Sequence, residues 1–193
     1  MEDLGRDSDT IVLHRDAVGA QRAADLFTRV LDEVDWKRDE IVMYGRRVAI
    51  PRLQAWLGDA GAEYTYSGLR MHPAPWTPAV LELRAVAEQV AGARFNSVLA
   101  NLYRDGRDSL AWHSDDEPEL GSEPVIASVS LGAVRRCRFR RRSDSGDAFG
   151  IDLPTGSVLV TGGTTQVHWQ HAIPKTAADV GPRINLTYRC IVR

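Results

Sequence analysis

Only two cysteines occur in the chain, Cys137 and Cys190. They form no CxxC pair and no disulfide framework, and they are too few for a cysteine-rich zinc site. Both sit in apolar, strand-like stretches, so two buried, reduced thiols are expected. No apolar run is long enough to span a bilayer. The opening residues Met1-Glu2-Asp3-Leu4-Gly5-Arg6-Asp7 lack the basic and apolar regions of a signal peptide, so an intracellular, cytoplasmic protein is expected. A basic excess is also missing: the formal net charge is −2. That excludes a uniformly basic surface, but not a local patch such as Arg135-Arg136-Cys137-Arg138-Phe139-Arg140-Arg141-Arg142. There is no internal repeat, and no H-x-E…P-C-x-x-C signature of a zinc deaminase.

What is present is an ordinary globular composition. The 193 residues are 44% hydrophobic and 26% charged, which suits one domain over residues 1–193. Residues 1–15 are polar and read as a loose arm. Ala23, Leu26, Phe27, Val30, Leu31 and Val34 recur at helical spacing, predicting an amphipathic helix over residues 20–34. A second helix is punctuated by Thr77 as cap, Pro78 at the first position and Gly92 as stop, with Val80, Leu83, Ala87 and Val90 as its apolar stripe. Beyond Gly92, short runs rich in Val, Ile, Leu, Ser and Thr predict strands near 95–103, 125–131, 134–141, 157–161, 167–173 and 183–192. Two helices followed by many short strands predict an α+β, mainly β chain: a jelly roll with supporting N-terminal helices.

Several segments carry chemistry. In Trp112-His113-Ser114-Asp115-Asp116-Glu117, extended backbone sends His113 and Asp115 to the same side. Two histidines and one carboxylate on one face of an octahedral metal form the ligand set of non-haem iron oxygenases. An H-x-D pair alone is weak, since most are surface polar residues. The distal histidine has two candidates, His168 and His171. Being three apart on a strand, they point to opposite faces, and spacing does not choose between them. In Arg183-Ile184-Asn185-Leu186-Thr187-Tyr188-Arg189, period two puts Arg183, Asn185, Thr187 and Arg189 on one face. Such a face is either solvated or a cradle for a dicarboxylate, because guanidinium binds carboxylate through two parallel hydrogen bonds. The same period puts Leu99, Asn101 and Tyr103 together in Phe95-Asn96-Ser97-Val98-Leu99-Ala100-Asn101-Leu102-Tyr103.

These motifs, in this order, resemble the AlkB family of Fe(II)- and 2-oxoglutarate-dependent dioxygenases, in particular the animal homologues acting on DNA and RNA. The likeness extends upstream through Met43-Tyr44-Gly45-Arg46, Pro51-Arg52, Gly58-Asp59-Ala60-Gly61 and Tyr64-Thr65-Tyr66-Ser67-Gly68, covering roughly residues 40–193. It implies a double-stranded β-helix (a cupin-like jelly roll), with residues 40–70 as substrate-recognition hairpins and 93–193 as the catalytic jelly roll. It implies Fe(II) bound by His113, Asp115 and His171, with O2 as a further co-substrate. Arg183 and Tyr103 would hold the distal carboxylate of 2-oxoglutarate. Asn101 and Arg189 would lie near its chelating end, and Asn185 and Thr187 on the same strand face. Tyr64 and Tyr66 would line a base pocket, the flipped base stacking between an aromatic ring and His113. Asp116 and Glu117 would lie beside the base edge, Tyr44 in a duplex-probing hairpin, and Arg52 and Arg135 against phosphates. The implied reaction is oxidative dealkylation of bases such as 1-methyladenine and 3-methylcytosine in alkylated DNA, releasing aldehyde, succinate and CO2, by a monomer. The alternatives are an RNA demethylase and a non-catalytic nucleic-acid-binding jelly roll.

Overall fold

The computed structural model describes residues 1–5, 8–43, 46–66, 69–144 and 146–192, and of these the side chains outside 41–46 and 64–71. In chain order the strands are β1 (Glu2–Asp3), β2 (Asp9–His14), β3 (Glu40–Met43), β4 (Arg46–Ala49), β5 (Leu53–Gly58), β6 (Tyr64–Tyr66), β7 (Leu69–Met71), β8 (Ser97–Tyr103), β9 (Leu110–His113), β10 (Ile126–Gly132), β11 (Arg135–Arg141), β12 (Ala148–Leu153), β13 (Val158–Gly163), β14 (Trp169–Ile173) and β15 (Arg183–Arg189). The helices are α1 (Ala20–Glu33), α2 (Pro78–Ala91) and the single turn α3 (Thr165–His168).

Among the described residues, two antiparallel sheets form the body. The larger runs β1-β2-β13-β10-β15-β8-β5, and the smaller β12-β11-β14-β9. β3–β4 and β6–β7 are separate hairpins. This is the jelly-roll arrangement expected, with α1 and α2 covering the outer face of the larger sheet. Strand alternation explains why. Val98, Ala100 and Leu102 of β8, with Ile184, Leu186 and Tyr188 of β15, join Leu26, Val30, Val80 and Leu83 of the helices in one buried core. Each such aliphatic side chain stabilises the fold by roughly 1.5–3 kcal/mol on burial. The opposite faces of the same strands look into the space between the sheets.

Four expectations need correcting. Residues 1–15 are not a loose arm: β2 pairs with β13 from Val158↔His14 to Gly163↔Asp9, and Ile11 and Leu13 are fully buried. The body is not confined to 93–193, because β2 and β5 belong to the larger sheet; of the strands that start within 40–70, the β3–β4 and β6–β7 hairpins lie outside it. Thr77 makes no side-chain cap; the Ala79 amide at the start of α2 donates instead to Glu33 Oε2 at 2.8 Å, so one helix caps the other. Gly92 does end α2 in the left-handed conformation (φ 62°) that glycine adopts without steric cost. Of the two thiols, Cys137 is buried but Cys190 is exposed.

Candidate active site

The H-x-D segment lies at the end of β9, an edge of the smaller sheet. In its ladder with β14, His113 stands directly opposite His171. Their ring centroids are 4.2 Å apart. Asp115, two residues further on, turns its carboxylate to the same place, with Oδ2 3.8 Å from His171 Nε2. One ligand atom from each of His113, Asp115 and His171 lies within 4.8 Å of the others. His113 Nδ1 lies 2.9 Å from the Ala111 carbonyl. It therefore donates its proton there, leaving the Nε2 lone pair for a metal. Burial pulls the His171 pKa down to about 3, aided by neighbouring His113. Burial would raise that of Asp115, but the adjacent Arg189 guanidinium outweighs it and holds the carboxylate ionised. Neutral imidazoles beside an ionised carboxylate are the protonation states that metal ligation requires.

His168 is excluded. It lies in α3, not on a strand, and its Nδ1 contacts Asp9 Oδ1 at 2.8 Å. The expected strand from 167 begins only at Trp169, because the Asp9 side chain and the Thr10 backbone hold residues 164–168 in a turn.

The polar faces of β8 and β15 do converge. Asn101, Tyr103, Asn185, Thr187 and Arg189 line one pocket with His113, Asp115 and His171. Arg189 Nη2 donates to Asp115 Oδ1 at 2.5 Å, so this guanidinium holds the metal-site carboxylate. Arg183 is fully buried against the pocket wall, its guanidinium carbon 5.2 Å from the centre of the Tyr103 ring. Nη2 donates to Ser130 Oγ at 2.9 Å and to Asn185 Oδ1 at 2.8 Å. Nε and Nη1 are buried with no hydrogen-bond acceptor among the described residues. Such orphaned, charged donors are costly unless a ligand completes them. The guanidiniums of Arg52 and Arg189 line the pocket with the carboxylate of Asp115, and that of Arg183 lies behind the Tyr103 ring in its wall, an excess of positive charge that matches a dianion. The donor set fits Fe(II), and the cationic wall fits 2-oxoglutarate.

Sequence reasoning placed two residues wrongly. Arg52 is not a surface phosphate contact. It is buried, lines the pocket and donates from Nε to Asn101 Oδ1 at 2.5 Å, because its β5 neighbour Leu53 pairs with Leu102 of β8. Arg135 is also buried. It donates to the carbonyls of Asp105, Asp108 and Pro174, tying two loops together, and is not available to phosphates. Only alternate arginines of β11 face solvent, and Arg136 and Arg140 there already bond to Asp152 and Gln170. Asp116 is half-exposed and pairs with Arg142 at 2.7 Å. Glu117 follows it, half-buried. Tyr64 and Tyr66 lie on β6, but their side chains are outside the described set, as is the whole of Tyr44. Missed altogether were Ser128 and Thr161 on the pocket wall, and Ser130, which holds Arg183. Only the inward alternation of β10 and β13 pointed to them.

Comparison with known proteins agrees. Residues 10–189 match the 2OG-Fe(II) oxygenase superfamily model, and with the triad this defines the class of protein. The chain is 41% identical over 183 residues to alkB homolog 3, an alpha-ketoglutarate-dependent dioxygenase of Bos taurus, covering 90% of this chain and 63% of that protein. It is 37% identical over 184 residues to the DNA oxidative demethylase ALKBH2 of Mus musculus, covering 90% of this chain and 77% of that protein. A solved structure, that of OsALKBH1, superposes with a TM-score of 0.70 at 17% identity, covering 93% of this chain and 96% of its own, which speaks to the fold alone. The chain belongs to the AlkB family of that superfamily. It spans 63–66% of the length of the alkB homolog 3 proteins it matches. Among the described residues no helix is long and apolar enough to cross a membrane.

Proposed function

We propose that the protein is a monomeric oxygenase that removes small alkyl groups from nitrogen atoms of nucleobases in DNA. The observation that carries this reading is one pocket with a His-Asp-His cluster at one end and a buried, incompletely bonded arginine against its wall. His113, Asp115 and His171 would hold ferrous iron, which with O2 and 2-oxoglutarate would supply the oxidising power for hydroxylation of the alkyl carbon. The protein's own residues bind and orient. Arg189 keeps Asp115 ionised and fixed. Arg183, set by Ser130 and Asn185, receives the far carboxylate of 2-oxoglutarate beside Tyr103. Asn101, itself held by Arg52, lies nearer the metal. Tyr64 and Tyr66 hold the flipped base against His113, and Glu117 with Asp116 favours cationic bases such as 1-methyladenine and 3-methylcytosine. Support for DNA as substrate comes from the relatives named as DNA oxidative demethylases.

The test is formaldehyde release from methylated oligonucleotides as single-stranded DNA, duplex DNA and RNA, with Fe(II) and 2-oxoglutarate supplied. Formaldehyde and succinate should appear together from DNA and vanish in His113→Ala, Asp115→Ala and His171→Ala. Turnover confined to RNA would refute the substrate. Activity surviving in the alanine variants would refute the site.

A further inference from the structure

Asp115 follows the end of β9, so its amide has left the strand ladder. A buried N–H without an acceptor is unfavourable by roughly 1–3 kcal/mol. Here the acceptor is a side chain distant in sequence: Gln166 Oε1, at 2.9 Å. Gln166 is itself buried, and its Nε2 donates to Thr161 Oγ1 at 3.1 Å. Its amide orientation is therefore fixed from both ends. The turn that carries it is equally fixed. Asp9 Oδ1 accepts from Thr164 Oγ1 at 2.7 Å and contacts His168 Nδ1 at 2.8 Å, while Oδ2 accepts from Trp169 Nε1 at 2.8 Å. Thr165 Oγ1 donates towards the Thr10 and Gly162 carbonyls and accepts from the Thr10 amide. Ser114 Oγ donates to the Trp169 carbonyl at 2.9 Å, a second stitch between the two ligand-bearing segments.

From this geometry we infer that Gln166 is a positioning residue for the metal site, with the N-terminal strand β2 as its anchor. Gln166 fixes the Asp115 backbone, and Arg189 fixes one carboxylate oxygen. Together they leave Oδ2 aimed at His171 before any ion arrives. The inference rests on the metal-site reading above. Groups that orient metal ligands in this way typically contribute 10- to 100-fold in metal affinity.

The experiment is Co(II) binding to the full chain without 2-oxoglutarate, by calorimetry and by the visible Co(II) spectrum. Gln166→Met keeps the length and removes the acceptor, so it should weaken binding about tenfold and alter the spectrum. Gln166→Asn, whose amide is one methylene short, should do the same if the methionine variant does not fold. Gln166→Glu retains an acceptor at the same reach and should bind Co(II) at least as tightly as the parent. His113→Ala locates the ion by abolishing binding. If His113→Ala loses the ion while a folded Gln166→Met or Gln166→Asn binds within twofold of the parent, the metal site stands and this inference falls. If Gln166→Glu weakens binding as much as Gln166→Met, the acceptor is not what matters, and the inference falls equally. If His113→Ala binds as the parent does, both readings fall.

Discussion

Replacing Arg183 with methionine should separate ligand binding from stability with opposite signs. The guanidinium is fully buried, and two of its nitrogens have no acceptor among the described residues. Burial accordingly pulls its pKa below the usual arginine value. Methionine fills much of the same volume without a charge to desolvate. Of the groups left behind, Asn185 Oδ1 still accepts from Ser128 Oγ at 3.0 Å, and the Ser130 hydroxyl can rotate. The cost of those losses is about 1 kcal/mol. Replacement of a poorly paired buried charge by apolar volume commonly returns 1–4 kcal/mol. The apoprotein should therefore be unchanged or more stable in urea denaturation. Binding of 2-oxoglutarate loses two charge-assisted hydrogen bonds at roughly 1.5–3 kcal/mol each, or about 100-fold to 10,000-fold in Kd. Calorimetry on Mn(II)-loaded protein reads this directly. A loss of affinity below about fivefold, or a destabilisation above about 3 kcal/mol, would show that the arginine serves the fold and not the diacid.

Asp9→Asn should flatten the acid limb of stability. Burial raises the Asp9 pKa, but bonds from Thr164, Trp169 and His168 outweigh it, so the folded value lies below the unfolded one. The stabilisation is therefore present above the unfolded value, near 3.9, and lost as pH falls through the folded one. The variant should lose about 1–3 kcal/mol at pH 7.5 and distinctly less near pH 3 by urea denaturation; equal loss at both would refute the assignment. Arg135→Gln should destabilise by about 2–4 kcal/mol, because three carbonyls lose their donor, while the salt slope of oligonucleotide binding by fluorescence anisotropy stays constant. A slope reduced by about one would return Arg135 to the phosphate interface. Asp116→Asn and Glu117→Gln together should lower turnover of cationic lesions more than of neutral ones, read by formaldehyde release; equal loss on both would count against an acidic base edge.

Much of the site was written locally. Period two assigned both faces of β15 and of β8, because a strand with one face against helices must alternate. The same alternation put His113 and Asp115 on one side. Both main helices were legible from their apolar stripes and, for α2, from Pro78 and Gly92. Choosing between His168 and His171 was not possible from spacing, and took the family resemblance.

What the chain by itself determined was therefore which residues share a face, and the class of chemistry that two histidines, an aspartate and paired arginines permit. Tertiary structure alone decided which side chains are buried together. Arg135 and Arg183 are the same residue type on alternating strands, yet one bonds loop carbonyls while the other bonds Ser130 and Asn185 between the sheets. Residues 9–14 looked like a polar arm because their partner strand lies some 150 positions away. Gln166 and Asp115, 51 residues apart, acquire their relationship only when β13 and β9 are brought together. Face patterns follow from the backbone's own period, whereas partners across a sheet sandwich depend on long-range register, which no local stretch encodes.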